Sequence, residues 1–157
     1  SPLVVWGPGI VAKDQHGAVN AVSVFSAIDL VPSLLDVAGV VVPDNVRFDG
    51  ENLSKTLTGK STASRTAPLF FRRPPDRKEF RGYTNLPDLA VRDGKWKLLC
   101  DYGGKRPQLY NLEQDPSEST NLADEHPGEA KRLTKAVLKW NSTLPLDAGD
   151  PEYQEGF

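Results

Sequence analysis

A short run of apolar residues, Leu3 to Trp6, lies near the start of the sequence and stops at Gly7-Pro8-Gly9. A continuous apolar run followed by turn residues predicts a strand that is buried on both faces, as in a parallel sheet. Such a strand needs neighbouring strands, and an uncovered apolar edge favours pairing with a second copy of the chain. We therefore expect the isolated chain to be prone to self-association.

Helical spacing of apolar residues appears further along the first half of the chain. The predicted apolar face consists of Leu30, Leu34, Val37 and Ala38. Asp29 is placed to cap the N-terminus of this helix, Pro32 falls in its first turn, and Gly39 follows its last turn.

Turn signals dominate the next stretch. Asp49-Gly50 predicts a turn, and the segment from Glu51 to Gly59 predicts one or two helical turns that end at the glycine. The segment from Lys60 to Pro68 is polar and carries no periodic pattern, so we place the domain boundary at its start, after residue 60.

The second half of the chain has the pattern of an antiparallel sheet. "PLFFRR" and "QLYNL" predict single strands, and "LAVRDGKWKLLCDY" between them predicts a hairpin. Asp93-Gly94 suits a two-residue type I′ turn. This turn pairs Val91 with Trp96 and Leu89 with Leu98, which places all four side chains on one face. Gly103-Gly104 predicts the turn that precedes the last strand.

An amphipathic helix is predicted over residues 127–142, with Pro127 at the first helical position. Its apolar stripe consists of Leu133, Val137, Trp140 and Leu144. A helix packed across one face of a small antiparallel sheet buries both apolar surfaces. The fold class predicted for the chain is therefore α+β.

Composition and charge narrow the functional classes. The 157 residues include 38% hydrophobic and 25% charged residues, with a net charge of −2. This balance gives no reason to expect nucleic acid as a partner. No apolar run approaches the roughly 20 residues of a membrane-spanning helix, so a membrane is not expected either. Since the chain contains no methionine and begins close to an apolar run, we interpret it as a fragment or processed chain of a larger protein.

Few residues are candidates for catalysis. His16 and His126 lie in turn-like contexts, which favour solvent exposure or helix capping over catalysis. Cys100 shares the predicted hairpin face with apolar residues, so we expect a buried and unreactive thiol. Turn chemistry accounts for Asp93 and Asp115. We therefore predict neither a catalytic residue nor a metal ligand in this chain.

A basic loop after Phe71 is the strongest candidate for a functional surface. Its basic residues are Arg72, Arg73, Arg77, Lys78 and Arg81. Asp76 and Glu79 are the two acidic residues among them. Guanidinium groups bind sulfate and carboxylate well, so this rim suits sulfated or uronate sugars. A solvated loop with internal ion pairs is the simpler interpretation.

The order of three segments carries a family resemblance. "LAVRDGKWKLLCDY", then "QLYNLEQDPSESTNLADEHP", then "RLTKAVLKW" resemble the C-terminal region of sulfatases in the alkaline-phosphatase-like superfamily. "PLVVWGPGIV", "SAIDLVPSLLDVAG" and "DGENLSKTLTG" are similar to the segments that close the large domain of that family. Bacterial arylsulfatases and N-acetylgalactosamine-6-sulfatase-like proteins show the greatest resemblance.

The resemblance implies specific chemistry for the parent protein. Sulfatases use a formylglycine made within a Cys/Ser-x-Pro-x-Arg motif, and a divalent cation, usually calcium, neutralises the sulfate. Cys100 lacks the proline and the arginine of that motif, because Asp101-Tyr102-Gly103-Gly104 follows it. We therefore expect the chain alone to be inactive, and we expect the parent to be extracytoplasmic, either periplasmic or secreted.

The resemblance also implies a domain organisation. Residues 1–60 correspond to the tail of the α/β catalytic domain, residues 61–146 to the small C-terminal subdomain, and residues 147–157 to a tail. The expected partners are the rest of the catalytic domain and, for the parent, a sulfated small molecule or glycan. A non-catalytic module that binds sulfated glycans or a protein is the alternative, and phosphate or phosphonate ester cleavage by the parent is a third hypothesis.

Overall fold

The computed structural model of the protein describes residues 3–11, 13–73 and 86–145. The chain divides into two units, Ser1–Ala67 and Pro68–Phe157. The first unit contains short helices, and the second contains a four-stranded sheet with one long helix. This is the mixed α+β class that the sequence predicts.

The first unit contains the two predicted helical segments. A single 3-10 turn, Ala27–Asp29, leads directly into helix α1, Leu30–Val37, and helix α2 covers Ser54–Leu57. Gly39 and Gly59 follow the two helices with φ angles of +68° and +77°, which confirms their predicted place after each last turn. A further 3-10 turn covers Lys13–Gln15.

The predicted strand from Leu3 to Trp6 is wrong for this chain. These residues have no regular secondary structure, and the side chains of Val4 and Trp6 are 87% and 85% exposed. The described part of the first unit contains no strand that could pair with this segment. A strand forms only where a neighbour supplies its hydrogen bonds, so the apolar pattern alone does not produce one.

The predicted apolar face of α1 is largely exposed within its own unit. Leu34 is 52% exposed and Ala38 is also exposed, whereas Leu30 and Val37 are half-buried. The helix instead buries Pro32 and the polar Ser33. The buried side of the helix includes a polar contact, because the backbone N–H of Leu53 donates to the hydroxyl of Ser33.

The second unit has an antiparallel sheet with strand order β1-β2-β3-β4. The strands are β1, Leu69–Arg72; β2, Leu89–Asp93; β3, Trp96–Cys100; and β4, Gln108–Asn111. These strands confirm the two predicted single strands and the predicted hairpin.

The hairpin register differs from the predicted one. Val91 pairs with Leu98, and Asp93 pairs with Trp96, so the turn residues are Gly94 and Lys95. Gly94 has a φ of +55°, which suits the hairpin turn that takes glycine at its first central position. When the turn moves by one residue, the pairing partner of each β2 residue moves by two residues along β3. Because side chains alternate with a period of two, the apolar side chains stay on the predicted face.

Helix α3, Pro127–Asn141, packs across one face of this sheet. The buried residues between them form one apolar cluster: Leu89, Val91, Leu98, Cys100, Leu109, Ala123, Ala130, Leu133 and Val137. At its edge, Trp140 stacks on Phe70 with ring centroids 5.3 Å apart. Each fully buried leucine or valine contributes about 1.5–3 kcal/mol to folding, so this cluster stabilises the second unit.

Candidate substrate-cleft surface

The structure describes two of the five basic residues that were predicted to form a functional loop. Arg72 and Arg73 are described, whereas Arg77, Lys78 and Arg81 lie outside the described residues. Arg72 ends strand β1 and Arg73 follows it directly. Because successive side chains of a strand point to opposite faces, the side chains of these two neighbours point to different faces of the sheet, although both residues border the depression at the end of β1.

The side chain of Arg72 points to the face that packs against α3. Its Nη1 donates to the backbone carbonyl of Pro145 at 3.2 Å and reaches Oδ1 of Asn141 at 3.5 Å. Arg72 also pairs in the sheet with the buried Leu89. These contacts give Arg72 a structural role in joining the strand edge to the end of the helix.

Arg73 lies on the opposite face of the sheet. Its Nη2 is 3.1 Å from Oδ1 of Asp88, and its backbone carbonyl accepts a hydrogen bond from the hydroxyl of Tyr102 at 3.0 Å. The ion pair retains some solvent contact, with the two side chains 28% and 21% exposed. Arg73 is therefore partly accessible on this face, which also carries Arg92 of β2 and Lys97 of β3.

A small depression of about 190 Å³ lies beside this ion pair. Phe71, Ala90 and Leu99 form an apolar cross-strand row in it, since Phe71 pairs with Ala90 and Ala90 pairs with Leu99. Phe71 is 51% exposed. The surface therefore combines an accessible aromatic ring, an aliphatic floor and one charged pair.

Cys100 is buried within the apolar cluster, as predicted, with 1% of its surface exposed. Burial raises the pKa of its thiol to about 11, and the charges of Asp101 and Asp88 add to this effect. A thiol with such a pKa is protonated at neutral pH and is a poor nucleophile. The predicted inert role of Cys100 agrees with this environment.

The two histidines lie on the surface. His16 follows a 3-10 turn, and His126 directly precedes α3 with its ring 5.0 Å from the ring of Trp96. The side chain of His126 makes no capping hydrogen bond to the helix. Both are exposed, as the sequence predicts.

A buried ion pair in the first unit was not predicted from the sequence. Nη1 of Arg65 lies 2.7 Å from Oδ1 of Asp29, with the two side chains 3% and 0% exposed. The same carboxylate accepts hydrogen bonds from the backbone N–H groups of Ser26 and Glu51, each at 2.8 Å. Asp29 therefore does not act as the predicted N-cap of α1. It joins three chain segments that are distant in sequence.

Ser33 and Glu51 extend this polar network. The hydroxyl of Ser33 donates to the backbone carbonyl of Asp29 and accepts from the N–H of Leu53 at 2.9 Å. The carboxylate of Glu51 accepts from the N–H groups of Thr66 and Ala67. Desolvation raises the pKa of Glu51, but the bonds from Ala67 and Thr66 outweigh it and hold this pKa below its ordinary value.

The conspicuous segment "DPSEST" has a structural role. The carboxylate of Asp115 accepts from the N–H groups of Ser119 and Thr120, at 2.8 and 2.9 Å, and from the hydroxyl of Ser117. The bond from Thr120 is the main reason that the pKa of Asp115 lies below its ordinary value. These hydrogen bonds agree with the turn role that the sequence predicts for Asp115.

The residues that follow this loop cover the edge of β4. Oδ1 of Asn121 accepts from the N–H of Leu109 at 3.0 Å, and the N–H of Leu122 donates to the carbonyl of Leu109 at 2.8 Å. An uncovered edge strand exposes such backbone groups to other chains. The "NLA" segment therefore protects the sheet and leads the chain to α3.

Neither a metal cluster nor a membrane helix occurs in the part of the chain that the structure describes. No three histidine, cysteine, aspartate or glutamate side chains in residues 3–11, 13–73 and 86–145 are grouped to hold a metal ion. Within the same residues, no helix has the length and apolar character to cross a membrane.

Comparison with known proteins identifies the family. A family model described as "N-sulphoglucosamine sulphohydrolase, C-terminal" matches residues 1–141. Arylsulfatase K of Mus musculus is 38% identical over 129 residues, which cover 80% of this chain and 22% of the mouse protein. Choline-sulfatase of Rhizobium meliloti is 34% identical over 142 residues, which cover 88% of this chain and 24% of that protein.

A solved structure of Ps i-CgsB in complex with k-i-k-neocarrahexaose has the same fold over most of the chain. It superposes with a TM-score of 0.61 and 26% identity, covering 84% of this chain and 27% of that one. The chain thus spans about a quarter of the length of the relatives that it matches.

Proposed function

The chain belongs to the N-sulphoglucosamine sulphohydrolase C-terminal family and is the C-terminal part of a sulfatase, and on this premise we propose that it is a non-catalytic part of that enzyme. In this proposal the chain packs on the catalytic domain and helps to wall the substrate cleft. The nucleophile and the metal site belong to the remainder of the parent.

The exposure of apolar side chains in the first unit is the observation that carries this proposal. Val4, Trp6, Val31, Leu34 and Val41 are all more than half exposed. The fully buried side chains of this unit are instead the polar Asp29 and Ser33. Large apolar side chains exposed in this number suit burial against another protein surface, and the α/β catalytic domain of the parent is the occupant that we propose.

The chemistry of the chain supports a non-catalytic role. Its one cysteine, Cys100, is buried with a raised pKa and is not part of a Cys-x-Pro-x-Arg sequence. The parent would supply formylglycine and calcium, which together would provide the nucleophile and neutralise the sulfate charge. Its proposed substrate class is a sulfated small molecule or glycan, and its proposed location is extracytoplasmic.

Hydrolysis of 4-nitrophenyl sulfate tests the catalytic part of this proposal. The purified 157-residue chain should release no 4-nitrophenol above the buffer rate, whereas the full parent enzyme should release it. Turnover by the chain alone would contradict the proposal. A parent that cleaves 4-nitrophenyl phosphate but not the sulfate would favour the phosphate-ester hypothesis.

Binding to immobilised heparin separates this proposal from a stand-alone glycan-binding module. A binding module should be retained in a salt-sensitive manner and should lose retention when Arg72, Arg73 and Arg77 are replaced by alanine. We expect little effect of Arg72→Ala on such binding, because its guanidinium is directed to Asn141 and Pro145.

A further inference from the structure

The face of the sheet opposite α3 combines features that suit carbohydrate. Phe71, Ala90 and Leu99 form a continuous cross-strand row, and the ion pair between Arg73 and Asp88 borders it. We call these five residues the ring platform. Because α3 covers only the other face, the platform belongs to a part of the second unit that the apolar cluster does not use.

The size of the depression limits what it can hold. Pockets for drug-sized ligands measure about 300–1,000 Å³, so a volume of about 190 Å³ suits a single ring rather than a chain of rings. The apolar C–H face of a pyranose packs well on an exposed aromatic ring such as Phe71. The aliphatic floor of Ala90 and Leu99 completes this contact.

The charged pair selects the type of ring. The guanidinium of Arg73 can donate to sugar hydroxyls, and the carboxylate of Asp88 can accept from them, in charge-assisted hydrogen bonds. Asp88 lies 3.1 Å from Arg73 and balances its charge, so the platform has no net positive charge from this pair. A neutral pair of this kind offers little attraction to a sulfate or a carboxylate on the bound ring, whereas hydroxyl groups can donate to Asp88 and accept from Arg73.

We propose that the ring platform binds an uncharged pyranose ring that neighbours the sulfated ring of the substrate. This inference rests on the proposed function, because it assigns a substrate contact to a chain that walls the cleft. It identifies the substrate class as a sulfated oligosaccharide with an uncharged neighbouring sugar.

The test compares matched substrates of the full parent enzyme. The substrates are 4-nitrophenyl sulfate and a panel of sulfated hexoses and hexosamines, each as the monosaccharide and as a disaccharide with an unsulfated neutral sugar. The wild-type enzyme should prefer one disaccharide over its monosaccharide at least tenfold in kcat/KM. Phe71→Leu and Arg73→Gln should each reduce that ratio at least fivefold, mainly through KM.

Arg92→Gln is the matched control, because Arg92 follows the platform on the same face of β2 and does not line the depression. It should leave the disaccharide preference unchanged. Phe71 is half exposed, so its replacement by leucine retains an apolar side chain and removes only the aromatic ring.

Three outcomes would overturn the inference. The first is a wild-type enzyme without a disaccharide preference, and the second is a preference that survives both platform substitutions. The third is an enzyme that cleaves 4-nitrophenyl sulfate and none of the saccharides, which leaves the proposed function intact. An enzyme that cleaves no sulfate ester contradicts the proposed function itself, and the inference with it.

Discussion

Asp29 and Arg65 form a buried ion pair, with their charged atoms 2.7 Å apart and their side chains 0% and 3% exposed. The pair joins the start of α1 to the end of the first unit, 36 residues further along the chain. The backbone N–H groups of Ser26 and Glu51 also donate hydrogen bonds to the carboxylate of Asp29. The first unit thus contains a buried polar network that joins distant chain segments, while several of its large apolar side chains are exposed.

Replacing one partner of this pair should destabilise the first unit. Asp29→Asn leaves the guanidinium of Arg65 buried without its counter-charge, which costs about 3–5 kcal/mol. Hydrogen exchange measured by mass spectrometry should show lost protection in peptides that cover residues 26–33 and 50–53. Glu118→Gln is the control, because the Lys97–Glu118 pair is partly exposed and should contribute about 0–1 kcal/mol. Equal effects of the two substitutions would contradict the structural role of the buried pair.

Gly50 should not tolerate a side chain. A Cβ atom added there would overlap the backbone carbonyl of Ile28, so the backbone would have to move. We expect Gly50→Ala to destabilise the first unit by about 1–3 kcal/mol. Gly128→Ala is the matched control, because a Cβ at this position of α3 meets no atom within 4 Å and alanine favours the helix. Urea denaturation of both variants should separate them, and a neutral Gly50→Ala would show that the close approach is absent in solution.

Cys100 should react with thiol reagents only after unfolding. At pH 8 its thiol is protonated and buried, because burial raises its pKa to about 11. Iodoacetamide should leave the native chain unmodified and modify it fully in urea, as measured by mass spectrometry. Because the pKa of the folded state is raised above that of an ordinary cysteine thiol, the free energy of unfolding should decline as pH rises from the ordinary thiol pKa toward about 11. Rapid modification of the native chain would show that Cys100 is accessible to solvent and would contradict this prediction.

Asp115 should titrate at a lower pH than an ordinary aspartate. The N–H of Thr120 is the main cause of its lowered pKa, with further bonds from Ser119 and Ser117. Since the folded pKa is depressed, the contribution of this group is present above its unfolded pKa and is lost as pH falls through the folded one. The amide resonance of Thr120 in NMR spectra should report this titration. Asp115→Asn should abolish it, and a titration that persists in this variant would assign it to another group.

Local patterns were sufficient to predict most of the second unit. The features that predicted it depend on residues close together in the sequence: the alternation of Leu89 and Val91, the glycine at position 94, and the spacing of Leu133 and Val137. The predicted hairpin register was wrong because a turn at Asp93-Gly94 and a turn at Gly94-Lys95 both place the apolar side chains of the two strands on the same face. Only the φ angle of Gly94 and the pairing of Asp93 with Trp96 distinguish the two turns.

The parts that depend on distant contacts could not be predicted. Asp29 has the sequence context of a helix cap, and Arg65 lies in a polar connector, so no local signal indicates their pairing. The apolar run from Leu3 to Trp6 requires neighbouring strands that no local pattern supplies. Arg72 and Arg73 were grouped by charge, whereas the alternation of a strand assigns them to different faces.

The most direct test of the account is to express the 157-residue chain together with the remainder of its parent sulfatase as two separate polypeptides. We predict that the two pieces co-purify and cleave 4-nitrophenyl sulfate, and that neither piece does so alone. The paired substitutions Trp6→Asp and Leu34→Asp should abolish both assembly and turnover, because they place charges on the exposed apolar side chains of the first unit. Assembly and turnover that survive these substitutions, or turnover by the remainder alone at the full rate, would contradict the account.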